Sequence, residues 1–290
     1  MDRTKYIGGS DIAAILGVSP YKTALEVYLE KRGELAPVAI DDKPAVYFGK
    51  VLENTVAHEY RRRTGNRIRR VNVEVVHPEH EFMVGHIDRD VVKSDRIIEC
   101  KTSDSRLAHL WGEAGSDQIP DYYLTQCHWY LGLLPAKQAV DVPVLIGGND
   151  FRIYTVLRDD RLIEVLQNQA KAFWRMVQDG VPPPLDTAHR TAPALLKRMF
   201  PGTSGETLIA DIELEHWSTV LQQAKERAAT YEGVIEGAKA HLLHALGNGS
   251  ELVMPDGSKY TRKQVSRKGY TVPDTSYIDF RYSKAKNKGE

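Results

Sequence analysis

Cysteine is nearly absent from this chain of 290 residues: Cys100 and Cys127 are the only two, and they form no CxxC pair. That scarcity argues against a zinc or iron–sulfur site, and two unpaired thiols fit a reducing cytosol. Net charge is absent too, with 39 basic residues against 39 acidic ones. There is therefore no global electrostatic case for nucleic acid, and any DNA-binding face must come from local clustering. No apolar run approaches the length of a membrane span, and the N-terminus lacks the apolar core of a signal peptide. The expectation is a soluble intracellular protein, long enough to bury a full core as one large domain or one domain plus an appendage.

What is present reads as alternating helices and strands. Ser10 before Asp11 to Leu16, closed by Gly17, predicts an N-cap, a short helix and a stop. Thr23 to Lys31 predicts a second helix, and Gly49 to Thr64, ended by Gly65, a third that carries Glu53. Strands are predicted over Arg69 to His77, Phe82 to Val92 and Arg96 to Thr102. A helix from Tyr122 to Leu134 follows, then strands Gln138 to Ile146 and Phe151 to Leu157, and a long helix from Asp159 to Gln178. This order predicts an α/β domain over residues 1–185, with a central mixed sheet flanked by helices. Residues 186–290 read as an extension. It holds a heptad-like helix from Asp211 to Leu246, a hairpin around Pro255-Asp256-Gly257, and a basic tail with Lys284, Lys286 and Lys288. Gly233 and Gly237 weaken that helix as a free-standing element, which favours packing onto its own domain.

The chemistry concentrates at Glu99-Cys100-Lys101, read with Asp88 before it and Gln126 after it. Strand alternation puts Glu99 and Lys101 on one face and Ile98 and Cys100 on the other. An Asp and a Glu converging with a Lys can hold a divalent cation and position a water for phosphodiester cleavage. An ordinary solvated ion pair would explain the same residues if they stood alone. Alternation also points His86 to the face of Asp88. Arg61, Arg62 and Arg63 with Arg67, Arg69 and Arg70 form the densest basic cluster, either a solvated face or a track for a phosphate backbone. Trp111, Tyr122, Tyr123, Trp129 and Tyr130 read as core rather than as stacking platforms.

Further motifs occur in an ordered set: Tyr6 to Gly17, Ser19 to Thr23, Glu30 to Gly33, Gly49 to Glu53, Gly85 to Asp88, Glu99 to Thr102 and Tyr122 to Gln126. The set resembles the YqaJ viral-recombinase family over about residues 3–180. That family is the phage exonuclease group within the PD-(D/E)XK nuclease superfamily. The resemblance implies a restriction-endonuclease-like core and a Mg²⁺ site, with Mn²⁺ as substitute, holding two ions. By it, Asp88, Glu99 and the backbone carbonyl of Cys100 are metal ligands, Glu53 completes the shell, Lys101 orients or activates the attacking water, and Gln126 braces the site. Ser10, with Arg3 (or Lys5) shortly before it, corresponds to the contact with a terminal 5′-phosphate, and His86 and His128 are candidate DNA contacts.

The activity so implied is 5′-to-3′ resection of linear double-stranded DNA to 3′ single strands, which an annealing protein of the same recombination system would take over. Subunits would assemble as a trimeric ring, in the cytoplasm of a bacterial host of the phage or prophage. A RecB-like or restriction-like endonuclease of the same superfamily is the nearest alternative, and a catalytically silent DNA-binding scaffold the rival outside enzymology. Two departures from the family pattern stand out. Arg89 follows the catalytic Asp where Gly is common, and His128 stands where a second Gln is common.

Overall fold

Helix caps fix where the first elements begin. In the computed structural model, which describes residues 2–266, α1 spans Gly9–Ile15, α2 spans Ala24–Lys31 and α3 spans Pro44–Thr64. Thr23 caps α2 by accepting from the Glu26 N–H, and Gly65, in the left-handed region at φ 73°, closes α3. The cap of α1 is Gly8, not Ser10. The reason is Asp11, whose carboxylate accepts the Gly8 N–H at 3.0 Å and is held by Lys31 Nζ at 2.8 Å. Ser10 is thereby displaced into the first turn and left exposed.

The sheet comes next: β1 (Ile68–Arg70), β2 (Val75–Val76), β3 (Val84–Gly85), β4 (Arg89–Val91), β5 (Arg96–Ile98), β6 (Lys101–Ser103), β7 (Ala139–Ile146) and β8 (Asp150–Leu157), with α4 (Asp121–Leu133) between β6 and β7. The main sheet runs β1-β4-β5-β7-β6, and β8 also pairs with β7; β2 and β3 form a separate small pair. β5 and β6 lie parallel to β7, and the other pairings are antiparallel. This is the expected mixed sheet with helices around it. The predicted strands Arg69 to His77 and Phe82 to Val92 are each divided between the main sheet and the β2–β3 pair.

The predicted strand Arg96 to Thr102 is interrupted at Glu99 and Cys100. Its two halves keep one register against β7, Ile98 opposite Asp141 and Lys101 opposite Val144. Glu99 N–H still donates to the Asp141 carbonyl at 3.0 Å. The return bond to the Glu99 carbonyl would have to come from residue 143, which is proline and has no N–H. Pro143 thus opens the ladder at the tripeptide that carries the chemistry.

Buried side chains close the unit. Trp111, Trp129 and Tyr130 lie in the main core, as anticipated. α5 (Asp160–Asp179) begins at an Asp159 cap and ends at Gly180 in the left-handed region. An unanticipated helix, α6 (Ala192–Met199), sends Leu195, 1% exposed, into the same core. The chain accordingly divides into units Met1–Phe200 and Pro201–Glu290, the first running past residue 185 because α6 packs with it. In the second unit, α7 (Ile212–Leu246) starts at Asp211, which accepts the Leu214 N–H, and β9 (Glu251–Val253) pairs antiparallel with β10 (Lys259–Thr261). None of the residues of α7 is buried. The basic tail with Lys284, Lys286 and Lys288 lies outside the described residues.

Candidate active site

The break in the β5–β6 strand creates the site. Because the Glu99 N–H faces β7, alternation aims the Cys100 N–H away from it, and it donates to Asp88 Oδ2 at 2.8 Å. In extended backbone the N–H and C=O of one residue point to the same side, so the Cys100 carbonyl also faces Asp88. Glu99 and Lys101 share the next face, with Lys101 Nζ 2.7 Å from Glu99 Oε1. The same ammonium donates to Gln126 Oε1 at 2.9 Å and sits 4.4 Å from the centre of the Tyr123 ring. Gln126 in turn donates to the Tyr130 hydroxyl at 2.7 Å. Glu99, Lys101 and Gln126 are therefore one hydrogen-bonded cluster, and Asp88 is tied to it through the Cys100 backbone.

Close backbone approach makes that cluster possible. A Cβ on Gly9 would lie 2.9 Å from the Tyr130 ring and 3.1 Å from Gln126, and one on Gly85 would lie 2.7 Å from Leu133 and 3.0 Å from Tyr130. Only glycine lets α1 and β3 press onto the face of α4 that aims Gln126 at Lys101.

Two carboxylates here share the field of one ammonium. Burial, with Glu99 beside it, pushes the Asp88 carboxyl up to about 8, against the pull of Lys101 and the Cys100 N–H. Burial likewise raises Glu99 against its ion pair. Burial pulls Lys101 down, yet Glu99 and Tyr123 hold it above its ordinary value, so it is a firm cation. Burial drives the Cys100 thiol far up, which leaves its carbonyl rather than its sulfur as a donor. Glu99 Oε2 is buried without a hydrogen-bond partner. An orphaned carboxylate oxygen beside a second carboxylate and a free carbonyl forms an all-oxygen donor set that fits a hard divalent cation. Among the described residues, no three His, Cys, Asp or Glu side chains converge as a ready-made metal cage.

The remaining expected residues fall differently. Glu53 projects from α3, but its Oε1 is 2.7 Å from Arg89 Nη1 rather than joined to Asp88 and Glu99. Arg89 Nη1 also donates to the Asp88 carbonyl at 2.7 Å, and Nη2 to Asn54 Oδ1 at 2.5 Å. Ser10 and Arg3 are exposed, and the Arg3 carbonyl accepts from Lys31. His86 is exposed and pairs with Glu74 at 3.2 Å. His128 is largely buried. It lies two residues beyond Gln126, about 200° around the helix, and is 4% exposed. Its Nδ1 is 3.0 Å from the Leu124 carbonyl. The basic cluster is largely neutralised at its core, since Arg62 and Arg63 share Glu59 and Arg69 pairs with Asp90. Arg89 is the site residue whose role the sequence reading missed, although its departure from the family pattern flagged the position.

Residues 1–133 match the family model described as the YqaJ-like viral recombinase domain. The chain is also 38% identical over 200 residues to the uncharacterized protein YqaJ of Bacillus subtilis (strain 168), across 68% of this chain and 61% of that protein. It thus spans less than two thirds of that relative's length. Among solved structures it is similar to an alkaline exonuclease, LHK-Exo, from Laribacter hongkongensis, at 16% identity and a TM-score of 0.48, over 67% of this chain and 96% of that one. A phage related exonuclease from Haemophilus somnus 129PT gives 16% identity and a TM-score of 0.42, over 61% and 95%. Glu53, Asp88, Glu99, Lys101 and Gln126 all fall within the matched segment, and so does the candidate site. No helix among the described residues is long and apolar enough to cross a membrane.

Proposed function

We propose that the YqaJ-like unit is a PD-(D/E)XK-type deoxyribonuclease, dependent on Mg²⁺ with Mn²⁺ as substitute, that resects linear duplex DNA from a 5′ end. The observation that carries this reading is the Asp88–Glu99–Lys101 cluster, half-buried around a buried Glu99 whose Oε2 has no hydrogen-bond partner. A binding module gains nothing from gathering carboxylates where phosphates must approach.

Phosphodiester hydrolysis needs a water in line with the leaving oxygen and compensation for the charge that develops. Lys101 is held as a cation by Glu99 and oriented by Gln126, so a full positive charge faces the reacting phosphate. Asp88, Glu99 and the Cys100 carbonyl are the residues that would hold the cation, which supplies Lewis-acid polarisation of the phosphate and acidifies water. Gln126 and Tyr130 keep the Lys101 ammonium from swinging, which preserves the attack geometry. Ser10, exposed one residue after the close contact of Gly9 with Gln126, is assigned to the terminal 5′-phosphate, with Arg3 as its charged companion. The match to the family model supports handover of the 3′ strand to an annealing protein and a closed ring of subunits around the duplex.

The test is a gel assay with 5′-phosphorylated linear, 5′-hydroxyl linear and covalently closed duplexes, with and without Mg²⁺. Mg²⁺-dependent shortening of linear DNA alone, fastest with the 5′-phosphate, is expected, and Ser10→Ala should remove the phosphate preference. Cutting of closed circles would replace the exonuclease with an endonuclease. Binding without cleavage of any substrate would reduce the protein to a scaffold.

A further inference from the structure

Arg89 is a cation buried where carboxylates gather. Its side chain is 5% exposed, and its guanidinium has three partners within 2.7 Å: Glu53 Oε1, the Asp88 carbonyl and Asn54 Oδ1. Two of these partners belong to α3 and one to the residue that carries a principal carboxylate. The guanidinium is permanently charged and planar, and it is locked by hydrogen bonds on both of its terminal nitrogens. Glu53 is thereby paired with a fixed protein charge. Among the described residues, no three His, Cys, Asp or Glu side chains converge as a metal cage. By contrast, Asp88 and Glu99 have one ammonium between them, and Glu99 Oε2 has no partner.

We infer that Arg89 is a positioning residue that occupies the place of a second divalent cation, so that this chain takes one ion per site, on Asp88, Glu99 and the Cys100 carbonyl. Glu53 acts through Arg89: it fixes the guanidinium, which in turn pins the backbone carbonyl of Asp88. A second dication near Glu53 would have to displace the guanidinium or tolerate it as a like charge at close range. This inference rests on the metal-dependent reading above.

The test counts Mn²⁺ ions bound per full-length chain, by calorimetric titration and by the electron paramagnetic resonance signal of free Mn²⁺. Wild type is expected to bind one ion. Glu53→Gln keeps Arg89 and should still bind one ion. Arg89→Met frees Glu53 and should admit a second ion. Two ions in wild type, with a drop to one in Glu53→Gln, would overturn the inference. So would a folded Arg89→Met variant, native by near-ultraviolet circular dichroism, that still binds one. If Arg89→Met does not fold, wild type and Glu53→Gln decide the matter by themselves. A wild type that binds no Mn²⁺, while Glu99→Gln also binds none, would refute the metal-dependent reading itself.

Discussion

The backbone N–H of Cys100 donates to Asp88 Oδ2 across 2.8 Å, which joins the two strands of the site through a side chain where a sheet would use backbone. The bond exists because β4 and β5 stop pairing after Arg89 and Ile98, leaving Asp88 opposite the interrupted segment. An acidic side chain is thus held at the head of a split in the sheet. The consequences below follow from that arrangement.

Glu99→Gln and Lys101→Met should each lower the rate of DNA hydrolysis by about 100-fold or more, the scale seen when a preorganised charge-stabilising group is lost. Duplex binding, measured by filter retention in Ca²⁺, should change little, because neither side chain is needed to hold the backbone. A purified, folded variant with wild-type turnover in Mg²⁺ would remove these residues from the site.

Divalent cations should stabilise the protein as ligands of the folded state. At about 100 times its dissociation constant, Mg²⁺ contributes roughly 2.7 kcal/mol, read as a rise in the thermal midpoint. Glu99→Gln should abolish the rise, since it removes the buried oxygen that lacks a partner. Chelation should return wild type to its metal-free midpoint.

Gly9→Ala should impair catalysis without touching a reacting group. Its methyl would meet Tyr130 at 2.9 Å and Gln126 at 3.1 Å, which forces α1 away from α4. Overpacking of this kind costs about 1–3 kcal/mol. Displacement of Gln126 from Lys101 should add a loss of turnover of roughly 100-fold. Equal turnover at equal folded fraction would show that the Gln126 contact is dispensable.

Alkaline stability should report on Tyr60. Burial, then its hydrogen bond to Asp141, pushes the phenol up to about 12 from 10.0. Because the folded value is the higher one, the contribution is complete below about 10 and is lost as pH rises towards 12. Tyr60→Phe should flatten the fall of the denaturation midpoint across that window while lowering stability at neutral pH. An unchanged slope between pH 10 and 12 would refute the assignment.

Much of this was legible because it is local. The caps at Thr23, Gly65, Asp159 and Asp211, and the period of the helices after Pro120 and Asp159, announce themselves within a few residues. Alternation placed Glu99 and Lys101 together, and their ion pair follows from it. What stayed hidden depends on distant partners. Pro143 interrupts the β5–β6 strand from a neighbour more than forty residues away in sequence. Asp11 takes the cap from Ser10 with the help of Lys31, and Arg89 captures Glu53 across 36 positions. α6 escaped notice because eight residues behind a proline-rich stretch carry too little periodic signal.

α3 is fastened at two places, by Arg89 to Glu53 and Asn54 and by Tyr60, whose hydroxyl donates to Asp141 at 2.6 Å. Its leading turns, with Tyr47, Phe48 and Val51 exposed, project beyond the first fastening. One helix and one guanidinium therefore join the exposed aromatic turns to the Asp88 carbonyl, so the outer surface of the unit and the backbone of the site share a single set of bonds.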